Sequence, residues 1–497
     1  MIKKVFAVIL VLTMVVPLTV WGMSGAKVSA ATSYSVIGNT LMITGTGPMT
    51  NYANAVDTPW YDERETITNI VINSGVTSIG KNAFAGTNVI LIEIPDTVTS
   101  IGERAFYQCH QLASVTMPNS ITQIGIEAFW DCSSMESLTL SNKLEEIPNL
   151  AFTRCSSLTN ITIPGSVKTI GYRAFANCKK LSVTFSDGLE VIGDEAFFKD
   201  YPTAPIGYTN STLRIPDSVK SIGANAFADN KGLKTLTTGT NLVTIGDEAF
   251  RQCGLTAINL SRSQKLDKIG TKAFMMTSVT SMVIPDSVTL VGESAFQQCG
   301  SLSTVKLPAN LKEIGDYAFV TTALEQVEIP EKVEKIGGRA FGGTPLRKIV
   351  IPHSVTSLGR FAFENCTSLI AVDISGFGLT FNTGVFDNCS SLNHVHIPKE
   401  LPPSYYAGKY HLPEDTSCYF QIGSDGNCPA VYCPFRDKIA GDVNDDGKLN
   451  NTDIILLGRA YMAGDGAKYL SVADMNNDGR ITNADIILLG RLYMNGK

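Results

Sequence analysis

The feature that most constrains this chain is a nine-residue unit that returns at a fixed interval. Ile101-Gly102-Glu103-Arg104-Ala105-Phe106-Tyr107-Gln108-Cys109 reads Ile-Gly-x-x-Ala-Phe-x-x-Cys, and it returns as Ile124 to Cys132 and as Ile170 to Cys178. Aligned on the aromatic residue, copies fall at Phe84, Phe106, Phe129, Phe152, Phe175, Phe197, Phe227, Phe250, Phe274, Phe296, Phe319, Phe341 and Phe363, with a degenerate copy at Phe386. The spacing is 22 to 24 residues, apart from one gap of 30. A period in the twenties marks a solenoid, in which each coil buries its apolar face only against its neighbours. The chain is therefore read as one elongated body and not as the several globular domains that 497 residues would otherwise suggest.

Each repeat carries two apolar beats. Leu158-x-x-Ile161-x-Ile163-Pro164 alternates with period two, which makes a short strand, and the proline ends its pairing. Val167-x-x-Ile170-Gly171 is a second extended segment that turns at the glycine. Ala174-Phe175 then opens a helical or 3-10 turn that drives the ring into the core. Eight of the eleven cysteines stand three residues after a repeat Phe: Cys109, Cys132, Cys155, Cys178, Cys253, Cys299, Cys366 and Cys389. A Cys in step with the repeat is a small buried hydrophobe. Stacked coils lie about 4.8 Å apart, within the Cα range of a disulfide, but in-register side chains point the same way and not at each other. The ladder thiols are therefore expected to stay unbridged. Cys418, Cys428 and Cys433 lie off the ladder, and one disulfide with one thiol left over is expected there.

These motifs resemble the leucine-rich repeat of the BspA type, found on bacterial surface and secreted proteins. The resemblance covers residues 68–398 and implies parallel strands joined by short helical or 3-10 turns. Residues 31–67 precede it and are expected to cap its first coil, with Trp60 in the cap core. Residues 399–437 break the repeat and are read as a C-terminal cap and linker.

The strand face that points away from the core follows from the alternation. Its outward column runs Glu93, Thr116, Thr139, Thr162, Thr184, Arg214, Thr237, Asn259, Val283, Lys306, Glu328, Val350, Asp373 and His396. A second outward column is rich in Ser and Thr, as at Ser114, Ser137 and Ser182. Neither contains an aromatic residue, which argues against a strong carbohydrate platform and leaves an adaptable protein-binding face for an unidentified ligand. The long gap after Phe197 holds an insertion with Tyr201 and Tyr208, a candidate binding loop, since solenoid insertions project on one face.

Charge and chemistry exclude several classes. The net charge is −6, so there is no basic surface for nucleic acid. After the first 25 residues no apolar run is long enough to span a bilayer. Lys3 and Lys4, the apolar stretch Val5 to Val20 and the small residues Val28-Ser29-Ala30 read as a secretory signal peptide, residues 1–30, which puts the mature chain outside the cytoplasm. Acidic pairs such as Asp194-Glu195 and Asp247-Glu248 recur in a solvated slot and do not converge on a common point as acid and base must. His394 and His396 project from one strand face with no third metal ligand nearby in the sequence. No catalytic residue is assigned, and the chain is read as a non-enzyme.

The tail differs in kind. Asp442, Asn444, Asp446, Lys448, Asn450 and Asp453 stand at positions 1, 3, 5, 7, 9 and 12 of a calcium loop, with Gly447 at the sharp turn. The pattern repeats 32 residues on as Asp474, Asn476, Asp478, Arg480, Thr482 and Asp485, and each loop is followed by nearly the same helix. Hard cations want oxygen, and the two loops offer sites for two calcium ions. A loop with only its following helix, twice, resembles a type I dockerin over residues 438–497. That resemblance implies docking to a cohesin domain of a scaffold protein, in a cell-surface cellulosome-like complex. It places the contact at Asn451, Thr452, Gly458 and Arg459, with Asn483, Ala484, Gly490 and Arg491 in the second copy, and the near-identity of the halves implies two binding orientations. Two other functions stay open: a surface adhesin whose solenoid binds host or bacterial proteins, and an enzyme or accessory of polysaccharide degradation.

Overall fold

The computed structural model describes residues 32–200, 211–374 and 379–397, together with 404, 412, 419–421, 454–457 and 486–487. The expected signal peptide, the insertion tyrosines, the off-ladder cysteines and the calcium loops lie outside these.

The two beats of each repeat form two stacks of strands. First-beat strands build a sheet from Thr40–Thr44 to Ser182–Phe185, closed at its start by the antiparallel strand Ser33–Ile37. Second-beat strands build an 11-stranded parallel sheet from Glu146–Ile147 to Thr380–Phe381. Pairing is in repeat register, so like faces like: Leu138 lies beside Val115 and Thr139 beside Thr116. The first-beat sheet is interrupted after Ser182–Phe185 and resumes at Thr212–Arg214, whereas the second-beat sheet passes the insertion unbroken. Second-beat pairing therefore keeps repeat register across the insertion, with Val191 beside Ser221 and Ile192 beside Ile222.

Between the two sheets run the phenylalanines. From Phe106 to Phe386 neighbouring rings stack 5.0–5.5 Å apart and within 15° of parallel. At this offset geometry each pair adds roughly 0.5–1.5 kcal/mol beyond the area it buries. The segment around each ring closes through hydrogen bonds of 3-10 spacing, such as Tyr107 N to Arg104 O (3.1 Å) and Cys109 N to Phe106 O (3.2 Å). Continuous 3-10 helix does not form there, because left-handed residues interrupt it two places before and two after the Phe, as at Arg104 (φ 54°) and Gln108 (φ 57°). That alternation turns the amides toward the following coil: Arg104, Phe106 and Gln108 donate to Ile126, Ala128 and Trp130 at 3.0, 2.8 and 2.7 Å. A third intercoil ladder results, and it accounts for backbone groups that would otherwise be buried unpaired.

The repeat glycine has a reason the spacing alone did not reveal. A Cβ at Gly270 would stand 2.6 Å from the Gly246 carbonyl carbon, so one coil's backbone rests on the next and a side chain there would force the backbones apart.

The ladder cysteines are free thiols, seven of them buried as their periodicity implied and Cys389 half-buried. Each donates to a Phe carbonyl of the preceding coil, as Cys132 to Phe106 at 3.2 Å and Cys253 to Phe227 at 3.1 Å. Burial pushes the thiols of Cys109 and Cys253 up to about 12 and that of Cys132 well above its ordinary value, so they remain donors. Where the slot holds another residue, Asn230 makes the same intercoil bond, to Phe197 O at 3.0 Å, whereas Thr322 turns to the carbonyl of its own coil's Phe319 at 2.9 Å.

Trp60 stands against the first coil. It is buried, stacks 6.1 Å from Phe84, and its Nε1 donates to Ala83 O at 3.0 Å. Tyr52 N donates to Lys81 O at 3.0 Å. Two carbonyls of the first coil, which have no earlier coil to serve, are thereby satisfied.

Candidate functional site

The outward strand face is as the alternation implied over its first half. Thr116, Thr139, Thr162 and Thr184 are exposed and in register, and Thr139, Thr162, Thr184, Asn160, Ser182 and Ser186 line a shallow groove of about 440 Å³. Leu138, Leu140, Ile161 and Pro164 line it beside these hydroxyls and amides, and no aromatic ring does.

Two features depart from expectation. The acidic residues after the repeat glycine are not merely solvated. Asp194 Oδ1 accepts from Ala224 N at 2.7 Å and Asp247 Oδ1 from Thr271 N at 2.8 Å, so they recur because they cap a backbone amide of the following coil. The second departure is His396. Alternation placed it outward in solvent, yet it is 2 % exposed, its Nδ1 turned to within 3.1 Å of Asp373 Oδ2 on the preceding coil. Its Nε2 lies 3.1 Å from Nε2 of the equally buried His394. Burial, reinforced by the neighbouring imidazole, lowers the His394 pKa to about 4, so that ring is neutral in ordinary buffers.

A further surface escaped the sequence reasoning, which examined strand columns and not turn columns. Tyr107 and Trp130 occupy the position after the repeat Phe in consecutive coils, and their rings stack at 4.8 Å and 10° on the surface. Arg104 sits over Tyr107 (5.5 Å) and Arg154 over Trp130 (5.1 Å). Trp, Tyr and Arg are the residue types that anchor protein interfaces. Reading the Phe+1 column, which begins Ala85, Tyr107, Trp130, Thr153, Ala176, would have found them.

The candidate loop residues Tyr201 and Tyr208 lie outside the described residues. So do the calcium ligands Asp442, Asn444, Asp446, Lys448, Asn450 and Asp453, with Asp474, Asn476, Asp478, Arg480, Thr482 and Asp485. The same is true of the partner-contact positions Asn451, Thr452, Gly458, Arg459, Asn483, Ala484, Gly490 and Arg491. What is described of the tail is helical: residues 454–457 and 486–487. Ile455 and Ile487, at the same position of the two copies, are both exposed, while Leu457 is buried. Among the described residues no helix is long and apolar enough to cross a membrane, and no group of three or more His, Cys, Asp or Glu could hold a metal ion.

Comparison with known proteins agrees with the geometry. A family model described as BspA type leucine rich repeat region matches in six copies, over residues 77–202, 208–323 and 312–405. A type I dockerin domain matches residues 440–492. No curated protein matches. Among solved structures, a leucine-rich repeat protein from Bacteroides ovatus ATCC 8483 is 24 % identical over 79 % of this chain and 98 % of its own, with a TM-score of 0.50. At that identity the likeness establishes the fold alone. A leucine rich cell surface protein from Faecalibacterium prausnitzii A2-165 is 25 % identical over 73 % of this chain and 92 % of its own, with a TM-score of 0.39.

Proposed function

The chain belongs to the BspA-type leucine-rich repeat family and ends in a type I dockerin domain, and from that premise we propose that it is a secreted, non-catalytic binding protein carried by its tail onto the cohesin of a cellulosome-like scaffold at the cell surface. The observation that carries this reading is the dockerin match over residues 440–492, where the sequence repeats an oxygen-rich loop and its helix at an offset of 32. Calcium and cohesin binding follow from that family. The finer statement is that two ions bind, one held by Asp442, Asn444, Asp446, Lys448, Asn450 and Asp453, the other by Asp474, Asn476, Asp478, Arg480, Thr482 and Asp485. Exposed Ile455 and Ile487 supply matched apolar contacts beside Arg459 and Arg491, which suits two docking orientations.

The test is calcium-dependent capture of the full chain by a panel of type I cohesins. Binding is expected in calcium and absent in chelator, and Asp442→Ala or Asp474→Ala should each lower calcium stoichiometry from two to one. No calcium-dependent capture by any cohesin would overturn the docking reading.

A second reading concerns the solenoid: it holds a protein ligand of its own, as an adhesin does. The stacked Tyr107 and Trp130 between two arginines favour it. A ligand whose capture survives chelation but is lost in Trp130→Ala would place that contact on the solenoid.

A further inference from the structure

The buried histidine pair near the end of the solenoid is unlike anything in the other coils. Elsewhere the outward strand columns carry Thr, Ser, Asn and single charged or apolar residues; here two imidazoles meet under the surface. Two distances describe how. The Nε2 atoms are 3.1 Å apart and the ring centres 4.9 Å apart, with the ring planes at 63°. Rings joined by a head-on N–H···N bond would hold their centres farther apart, because each centre lies directly behind its nitrogen. The shorter value means the two rings do not face each other head-on. Two nitrogens bound to one tetrahedral zinc at about 2.0–2.1 Å stand about 3.3 Å apart, close to the 3.1 Å between these Nε2 atoms.

Asp373 strengthens the case. Its Oδ2 faces Nδ1 of His396 at 3.1 Å, which fixes the proton on Nδ1 and leaves the Nε2 lone pair directed at His394. A carboxylate behind a histidine is the arrangement that orients metal ligands. The Asp373 side chain keeps partial contact with solvent.

We propose that Nε2 of His394 and Nε2 of His396 bind a divalent transition ion of the imidazole-preferring class, zinc, nickel or cobalt, with Asp373 orienting His396 and water completing the coordination. Asp373 meets the other ring nitrogen and is no third ligand, consistent with the absence of any three-residue cluster among the described residues. Two neutral nitrogens discriminate against calcium, which wants oxygen, so this ion differs in kind from the one the tail takes. In the bound form His394 carries its proton on Nδ1.

The full chain, kept in excess calcium to fill the oxygen-rich loops, is titrated with Co²⁺ and followed by its visible spectrum and by calorimetry. One equivalent is expected to bind with a nitrogen and oxygen spectrum and no thiolate charge-transfer band, which separates the site from any cysteine. His394→Gln and His396→Gln should abolish that equivalent, and Asp373→Asn should weaken it about 10- to 100-fold. Absence of binding to the wild type, a thiolate band, or unchanged affinity in the His variants overturns the proposal. If a His variant fails to fold, Asp373→Asn decides, since it leaves both ligands in place: unchanged affinity there is equally fatal. Cohesin capture is a separate readout in the same samples, so the two proposals fail independently.

Discussion

The two ends of the solenoid solve one problem by different chemistry. An end coil has an apolar cross-section and backbone groups with no further coil to bond. At the start both are met by aromatics and donors: Trp60 covers Phe84 and gives its indole N–H to Ala83, with Tyr34 and Tyr52 edge-on to it at 5.3 and 5.8 Å. Toward the far end the last Phe stack among the described residues is Phe363 on Phe386, while the first-beat sheet goes on through His394–Ile397 to Tyr419–Gln421. There the strand residues include two buried imidazoles that meet at Nε2, one of them against Asp373. An aromatic cap is indifferent to pH and ions. A histidine pair is sensitive to both, so the two ends should respond differently to the same conditions.

The largest effect should come from removing the cap. Trp60→Ala deletes a buried indole and its hydrogen bond, a loss of about 3–5 kcal/mol. Because coils touch only their neighbours, hydrogen exchange should show amides such as Ile70 and Val115 losing protection while Val372 and Val395 keep theirs. Equal loosening at Val372 would mean the ends are coupled, and the contrast would collapse.

A fall in pH should do the reverse. The folded His394 pKa lies near 4, below the free value of about 6.5, so its neutral burial stabilises the fold fully above that upper value. That contribution is lost as pH drops from about 6.5 to 4, because the unfolded ring takes a proton the folded ring refuses. Amide protection at Val372 and Val395 should decline over that window, with Val115 and Leu138 lagging. His394→Gln should flatten the difference; a variant with the same pH profile as the wild type would show that other groups set it.

The smallest effect sharpens the comparison by exclusion. Arg104 pairs with Glu127 at 2.6 Å near the first end, but it is exposed. Arg104→Ala should cost roughly 0–1 kcal/mol in thermal unfolding, since solvent and side-chain entropy cancel most of such a pair. A larger loss would mean that the Tyr107–Trp130 stack depends on its flanking guanidinium.

How far the sequence could be read depends on whether a residue's role repeats. Phe84 to Phe386 and the cysteines from Cys109 to Cys389 could be assigned to the core because each returns in step with its coil, and period alone marks a buried column. Gly102 and Gly270 were legible as turns but not as contacts, because the crowding is between coils and appears only when backbones are stacked. Asp194 and Asp247 looked like solvated acids for the same reason: their hydrogen-bond partners lie 24 or 30 residues away. Tyr107 and Trp130 are 23 residues apart in the chain and 4.8 Å apart in space. His396 was placed outward correctly in direction and wrongly in environment, since alternation gives the side of a strand and not what stands there.

The sequence by itself determined the solenoid, its period, its buried columns and the calcium-loop pattern of the tail, because all of these are local patterns copied along the chain. Only the tertiary structure decided which residues of different coils meet: the thiol on the preceding Phe carbonyl, the left-handed amides on the next coil, the indole on Ala83, and the two imidazoles over Asp373. Those contacts join residues a full repeat apart, and stacking at about 4.8 Å brings them within bonding distance.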